Sequence, residues 1–179
     1  MYQIVIEFQI VKNYIGGIKS MKIVNQVNDN ILGNIFCVAQ EDGRLKGWAK
    51  KYSIQENQEI WVYLNLYFVN LNFEYEDCYA NALTQLKQGI KTNLDRIESS
   101  KKTLIGDIVD TFYDERDYHG YDEKIHDNQI KIEEIRVFKY NYSVIFSIDT
   151  IDEVFAFEVE ENRKSINYEE QSEIVSMVY

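Results

Sequence analysis

The stretch YANALTQLKQGIKTNLDRI, residues 79–97, decides the fold. Tyr79, Leu83, Leu86, Ile90, Leu94 and Ile97 recur at steps of three and four, the spacing that lines one face of an α-helix. Glu76 and Asp77 precede it, where carboxylates suit the positive end of the helix dipole. Ser99-Ser100-Lys101-Lys102 breaks the pattern, and Thr103 is placed to cap a second helix. That helix sets Leu104, Ile105, Ile108, Val109 and Phe112 on its apolar face, with Asp107, Asp110, Asp114 and Asp117 mainly on the other side.

Outward from this pair the period drops to two, the signature of strands. Alternation over residues 2–10 is followed by a Gly16-Gly17 turn, and 21–24 reads as a second strand. If translation begins at Met21, residues 1–20 are instead an N-terminal extension. The Asn28-Asp29-Asn30 turn leads into 31–38, and a turn at 41–44 leads into 45–54. A long run over 59–75 breaks phase near Phe68, which predicts a bulge or bend. Strands resume at 134–140, 143–148, 154–159 and 173–178, with turns at Asn141 and at 162–164. The order is strands over 21–75, a helical pair over 76–113 and strands over 132–178. This predicts a single α+β domain spanning 1–179, a mostly antiparallel sheet with the central helical pair packed on one face.

The chain has 179 residues, 45% hydrophobic and 27% charged, which is enough to build one sizeable core. It contains no Pro, so no prolyl isomerisation delays folding. Cys37 and Cys78 lie far apart in different kinds of segment and read as reduced thiols rather than a disulfide framework. Glu7 interrupts the first apolar run and no basic start precedes it, which argues against a signal peptide. No stretch approaches the roughly eighteen apolar residues of a membrane span. These features predict a cytoplasmic protein with no membrane partner.

Charge is distributed unevenly. Residues 107–127 carry eight carboxylates against two basic side chains, and 149–173 carry nine against two. Together they hold 17 of the 30 acidic residues, in a chain whose formal net charge is −11. A field of one sign attracts basic molecules and repels nucleic acid, so direct nucleic-acid binding is disfavoured.

Catalytic signatures are absent. There is no P-loop, no dinucleotide fingerprint and no nucleophile elbow, and no cofactor is implied. Aligning Gly120 with the turn position of a calcium loop places His126 where a bidentate carboxylate is required, so that motif fails. A metal-dependent hydrolase built on His119 and His126 remains as an alternative, although their i, i+7 spacing matches no helical ligand pair. The binding signal lies in the same segment. Tyr113, Tyr118 and Tyr121 interleave with Asp110, Asp114, Glu115, Asp117, Asp122 and Glu123, placing aromatic anchors inside a charged rim.

The Asp29-Asn30-Ile31-Leu32-Gly33 strand opening followed by Gly47-Trp48, the helical pair, and the closing strands from Ile132 through Phe146-Ser147-Ile148-Asp149 to Val159 stand out. Together these three features resemble an uncharacterised bacterial domain family found in part near toxin–immunity genes. The likeness spans residues 21–175 and implies an α+β fold and an immunity-type role, with no catalytic residues. Where such domains often carry a Gly-His pair, this chain has Phe155-Ala156-Phe157. The expected function is therefore a non-enzymatic, acidic inhibitor that binds a basic toxin or nuclease. The alternative within that class is a phage-type anti-CRISPR or anti-defence inhibitor that imitates nucleic-acid charge.

Overall fold

Among the described residues, eight strands form one sheet in which chain order is also spatial order. The computed structural model describes residues 21–40, 45–55, 58–66, 71, 74, 76–115, 124–161 and 163–168. Strands β1 (Lys22–Asp29), β2 (Gly33–Ala39), β3 (Leu45–Gln55) and β4 (Gln58–Leu64) make an antiparallel meander. A second meander follows in β5 (Ile130–Val137), β6 (Tyr142–Ile148), β7 (Ile151–Glu160) and β8 (Arg163–Tyr168). The two join through a parallel pairing of β4 with β5, from Val62↔Ile135 to Leu64↔Val137. Parallel neighbours need a crossover, and the helices supply it: α1 (Asp77–Ser100) and α2 (Leu104–Asp114). The class is α+β, as the periodicity predicts.

The helix face of the sheet carries the main core. Ile90, Leu94 and Ile97 of α1 and Leu104, Ile108 and Phe112 of α2 are buried against alternate residues of β4 to β7. Phe112 meets Phe155 edge-on at 5.4 Å, and Phe155 stacks on Phe146 at 5.5 Å. The Phe155-Ala156-Phe157 segment is thus a core element under α2, with both rings fully buried. Glycine brings α1 down onto the β5–β6 hairpin. A Cβ on Gly89 would lie 2.5 Å from the Lys139 carbonyl oxygen, so no side chain fits there. Beside it, buried Asn93 donates to the carbonyls of Phe138 (3.0 Å) and Asn141 (3.3 Å) and closes that turn.

The strand opening at Asp29 is a structural device. Its Oδ1 accepts the backbone N–H of Ile31 and Leu32 at 2.9 and 3.0 Å, and Gly33 takes the left-handed conformation (φ 69°) that starts β2. Oδ2 takes a bond from Lys87 of α1, with the two side chains only 5% and 12% exposed. Burial alone raises the Asp29 carboxyl pKa, but the Lys87 bond and the two N–H donors outweigh it and hold it below the usual carboxylate value.

Some expectations are corrected. The strand predicted over 59–75 ends at Leu64, because Asn65 bonds to the Val137 carbonyl at the end of the β4–β5 ladder and Leu66 turns back at once. Leu66 is apolar because it is buried in the core, not because it lies in the sheet. The turn predicted at 162–164 closes one step earlier, since Glu160 pairs with Arg163, and β8 begins there. Only Ile166 of β8 is described as buried, so its alternation is too weak to read. Thr103 precedes α2, but its hydroxyl donates back to the Ser100 carbonyl at 3.1 Å instead of capping the helix. The strand predicted over 2–10, the turns at Gly16-Gly17 and 41–44, the phase break at Phe68 and the strand over 173–178 lie outside the described residues.

Candidate functional site

The two acidic stretches come together at the β8 side of the sheet. Helix α2 packs beside β8, and two contacts tie them. Glu115 accepts the Ile166 N–H at 2.8 Å, and Lys164 pairs with Asp107 at 3.1 Å. Asp107, Asp110 and Asp114, at i, i+3 and i+7, share the outward face of α2 while Ile108 and Phe112 hold the inner face to the core. Glu160 and Glu161 stand at the β7–β8 hairpin, and Asp149, Asp152 and Glu153 at the opposite end of β7. Ten residues of strand at about 3.3 Å each separate those ends by roughly 30 Å. Asp127 adds to the far end, where Asp149 N–H bonds to the Gln129 carbonyl.

A cleft of about 560 Å³ opens between α2, the end of α1 and the β7–β8 hairpin. Asp107, Asp114, Glu115, Glu160 and Glu161 line it, with Arg96, Arg163 and Lys164 interspersed. Arg96 is anchored by the Glu161 carbonyl (2.7 Å) and the Asn93 side chain (3.2 Å), so its charge is fixed at the cleft floor. Arg96, Glu160, Glu161 and Arg163 also border a second, larger cavity that runs along α1 past Tyr140. Tyr140 is 75% exposed, with Lys139 Nζ 4.9 Å from its ring centroid. Tyr142 sits buried in the cleft wall. Burial pushes its hydroxyl pKa above the usual phenol value and Asp107 adds to this, while the Ser100 bond and Arg96 partly offset it.

Of the residues singled out by sequence, Asp110 and Asp114 are exposed on α2. Glu115 is half-buried and holds the β8 backbone. Tyr113 packs against the core, and its hydroxyl exchanges bonds with Ile125, accepting its N–H at 2.9 Å and donating to its carbonyl at 3.3 Å. That contact ties the end of α2 to the segment that leads into β5. Asp117, Tyr118, His119, Tyr121, Asp122 and Glu123 lie outside the described residues. His126 is exposed, and its backbone N–H bonds to the Gln129 side chain. Among the described residues no group of three metal-ligating side chains forms. Sequence reasoning missed Arg96 and Tyr140, because neither stands in an acidic run and only the packing of α1 against the hairpins places them beside Glu160 and Glu161.

No family model matches this chain, and no curated protein or solved structure matches it either. Among the described residues no helix is long and apolar enough to cross a membrane.

Proposed function

We propose that this protein is a non-enzymatic acidic inhibitor that binds the basic surface of a partner protein, in the manner of an immunity protein against a toxin or nuclease. The observation that carries the reading is the joining of the two acidic stretches through the α2–β8 contact. Carboxylates of both stretches then add into one outward field instead of cancelling around the molecule. Such a field steers a basic partner and lifts association towards about 10⁸ M⁻¹s⁻¹ at low salt. A nuclease is a fitting partner, because its substrate site must itself be basic.

The roughly 30 Å over which these carboxylates extend along β7 favours a second version of the reading, imitation of nucleic-acid charge. Each strand of a duplex places a phosphate about every 3.4 Å along the helix axis, or roughly nine over that length. The described carboxylates along β7 are Asp152, Glu153, Glu158 and Glu160, with Asp149 and Glu161 just beyond its two ends.

Capture of a partner from the native host, repeated across a salt series, tests the proposal. Binding should weaken as salt rises and should fall further in the double reversal Asp110→Lys/Asp114→Lys, whose sites are exposed and leave folding intact. Binding unchanged by both treatments overturns it. Reversals at Asp149 and Asp152, at the end of β7 far from the cleft, separate the two versions: a local plug tolerates them, whereas a charge mimic loses affinity.

A further inference from the structure

Tyr140 is 75% exposed, yet the backbone that carries it is clamped. It stands in the turn between β5 and β6, where the Phe138 N–H bonds to the Asn141 carbonyl at 2.9 Å. Beneath the turn, buried Asn93 donates to the carbonyls of Phe138, Lys139 and Asn141 at 3.0, 3.4 and 3.3 Å. Gly89 of α1 closes against the Lys139 backbone. A large ring presented to solvent on a fixed support loses little freedom when a partner covers it, which is what an aromatic anchor needs.

The ring borders the cavity of about 1030 Å³ along α1, which is continuous with the acidic cleft through Arg96, Glu160, Glu161 and Arg163. The α1 wall runs from Gly89 to Arg96, roughly 10 Å of helix, or the reach of about three extended residues. One end is the Tyr140 turn, and the other is Glu161, whose carbonyl holds Arg96 at 2.7 Å. A short basic segment therefore reaches the ring and the carboxylates together. Net charge alone does not draw it there, since Arg96, Lys139 and Arg163 stand against Glu160 and Glu161. Lys139 Nζ already lies 4.9 Å from the ring centroid, so the ring accepts a cation, and its exposure leaves the other face open. A lysine ammonium, compact and strongly hydrated, gains little in such a mixed field. A planar guanidinium stacks on the ring and turns its N–H fork to a carboxylate at the same time.

We propose that this groove reads arginine: an arginine of the basic partner stacks on Tyr140 while neighbouring basic side chains enter the acidic cleft. The assignment rests on the inhibitor reading above and narrows its partner from a basic surface to an arginine-bearing one. The carboxylates bring the partner in, and Tyr140 selects among cations.

Fluorescence anisotropy of the full chain with labelled oligo-arginine and oligo-lysine peptides of equal length, at low salt, tests this. Oligo-arginine should bind about fivefold tighter, the upper range of one exposed cation–π contact. Tyr140→Leu should remove most of that preference with an unchanged circular-dichroism spectrum, because the side chain is exposed. Tyr140→Phe keeps the ring and should keep the preference, and oligo-lysine should bind all three proteins alike. Equal affinity of the parent for the two peptides overturns the proposal. So does an arginine preference that survives Tyr140→Leu undiminished or is lost in Tyr140→Phe, and so does Tyr140-dependent binding of an oligo-glutamate peptide. Failure of both basic peptides to bind is a separate result, which overturns the acidic-inhibitor reading and this proposal with it.

Discussion

Replacing Asp29 with Asn separates two roles that this carboxylate combines. The amide oxygen still accepts from Ile31 and Leu32, so the turn into β2 persists, but Lys87 loses its counter-charge in a site where it is 12% exposed. Removing one member of a buried pair typically costs about 3–5 kcal/mol. Lys87 enters from the surface of α1 and its stem lets the ammonium reach water, which sets the expected cost at the low end, about 3 kcal/mol. For a chain of this size that lowers the melting temperature by roughly 6–12 °C. Lys87→Met leaves Asp29 charged with its two N–H donors, and the double variant should cost less than the sum of the singles by about 1.5 kcal/mol or more. Acid gives an independent check. Because the folded-state pKa of Asp29 lies below its ordinary 3.8, the stability it contributes is complete above that value. That contribution is lost as pH falls through the lower folded-state value. The stability difference between the parent and Asp29→Asn should therefore shrink as pH drops below about 4. Denaturant unfolding of the four proteins measures all of this, and additive single substitutions, or a difference independent of pH, would refute the reasoning.

Gly89→Ala should destabilise by about 1–3 kcal/mol, although alanine is the better helix former, because its methyl group meets the Lys139 backbone at 2.5 Å; thermal unfolding reads the sign directly. The two thiols should differ sharply towards an alkylating reagent at neutral pH. Cys37 is half-buried, and burial raises its pKa, whereas Cys78 is exposed at the start of α1, so Cys78 should react at least about tenfold faster by mass spectrometry.

The local pattern of the chain determined most of the elements. The change of period at Tyr79 marks α1, and the apolar runs at 31–38, 45–54, 143–148 and 154–159 mark strands, because side chains of a strand alternate between faces and those of a helix recur every third or fourth residue. Where the pattern is diluted, the reading stops. β8 has Ile166 as its one described buried residue, and Leu66 is apolar because it is buried in the core outside the ladder. Likewise the sequence shows where carboxylates are dense, since charge is a property of composition.

The tertiary structure alone decided that those carboxylates meet. Asp107 and Lys164 are 57 positions apart, and no local rule places α2 beside β8. The crossover does so, by carrying the chain over the sheet so that β5 pairs parallel with β4 and the second meander ends under the second helix. The same packing of α1 against the hairpins set Arg96 and Tyr140 beside Glu160 and Glu161. Strand order and helix placement depend on long-range burial, which no window of neighbouring residues encodes.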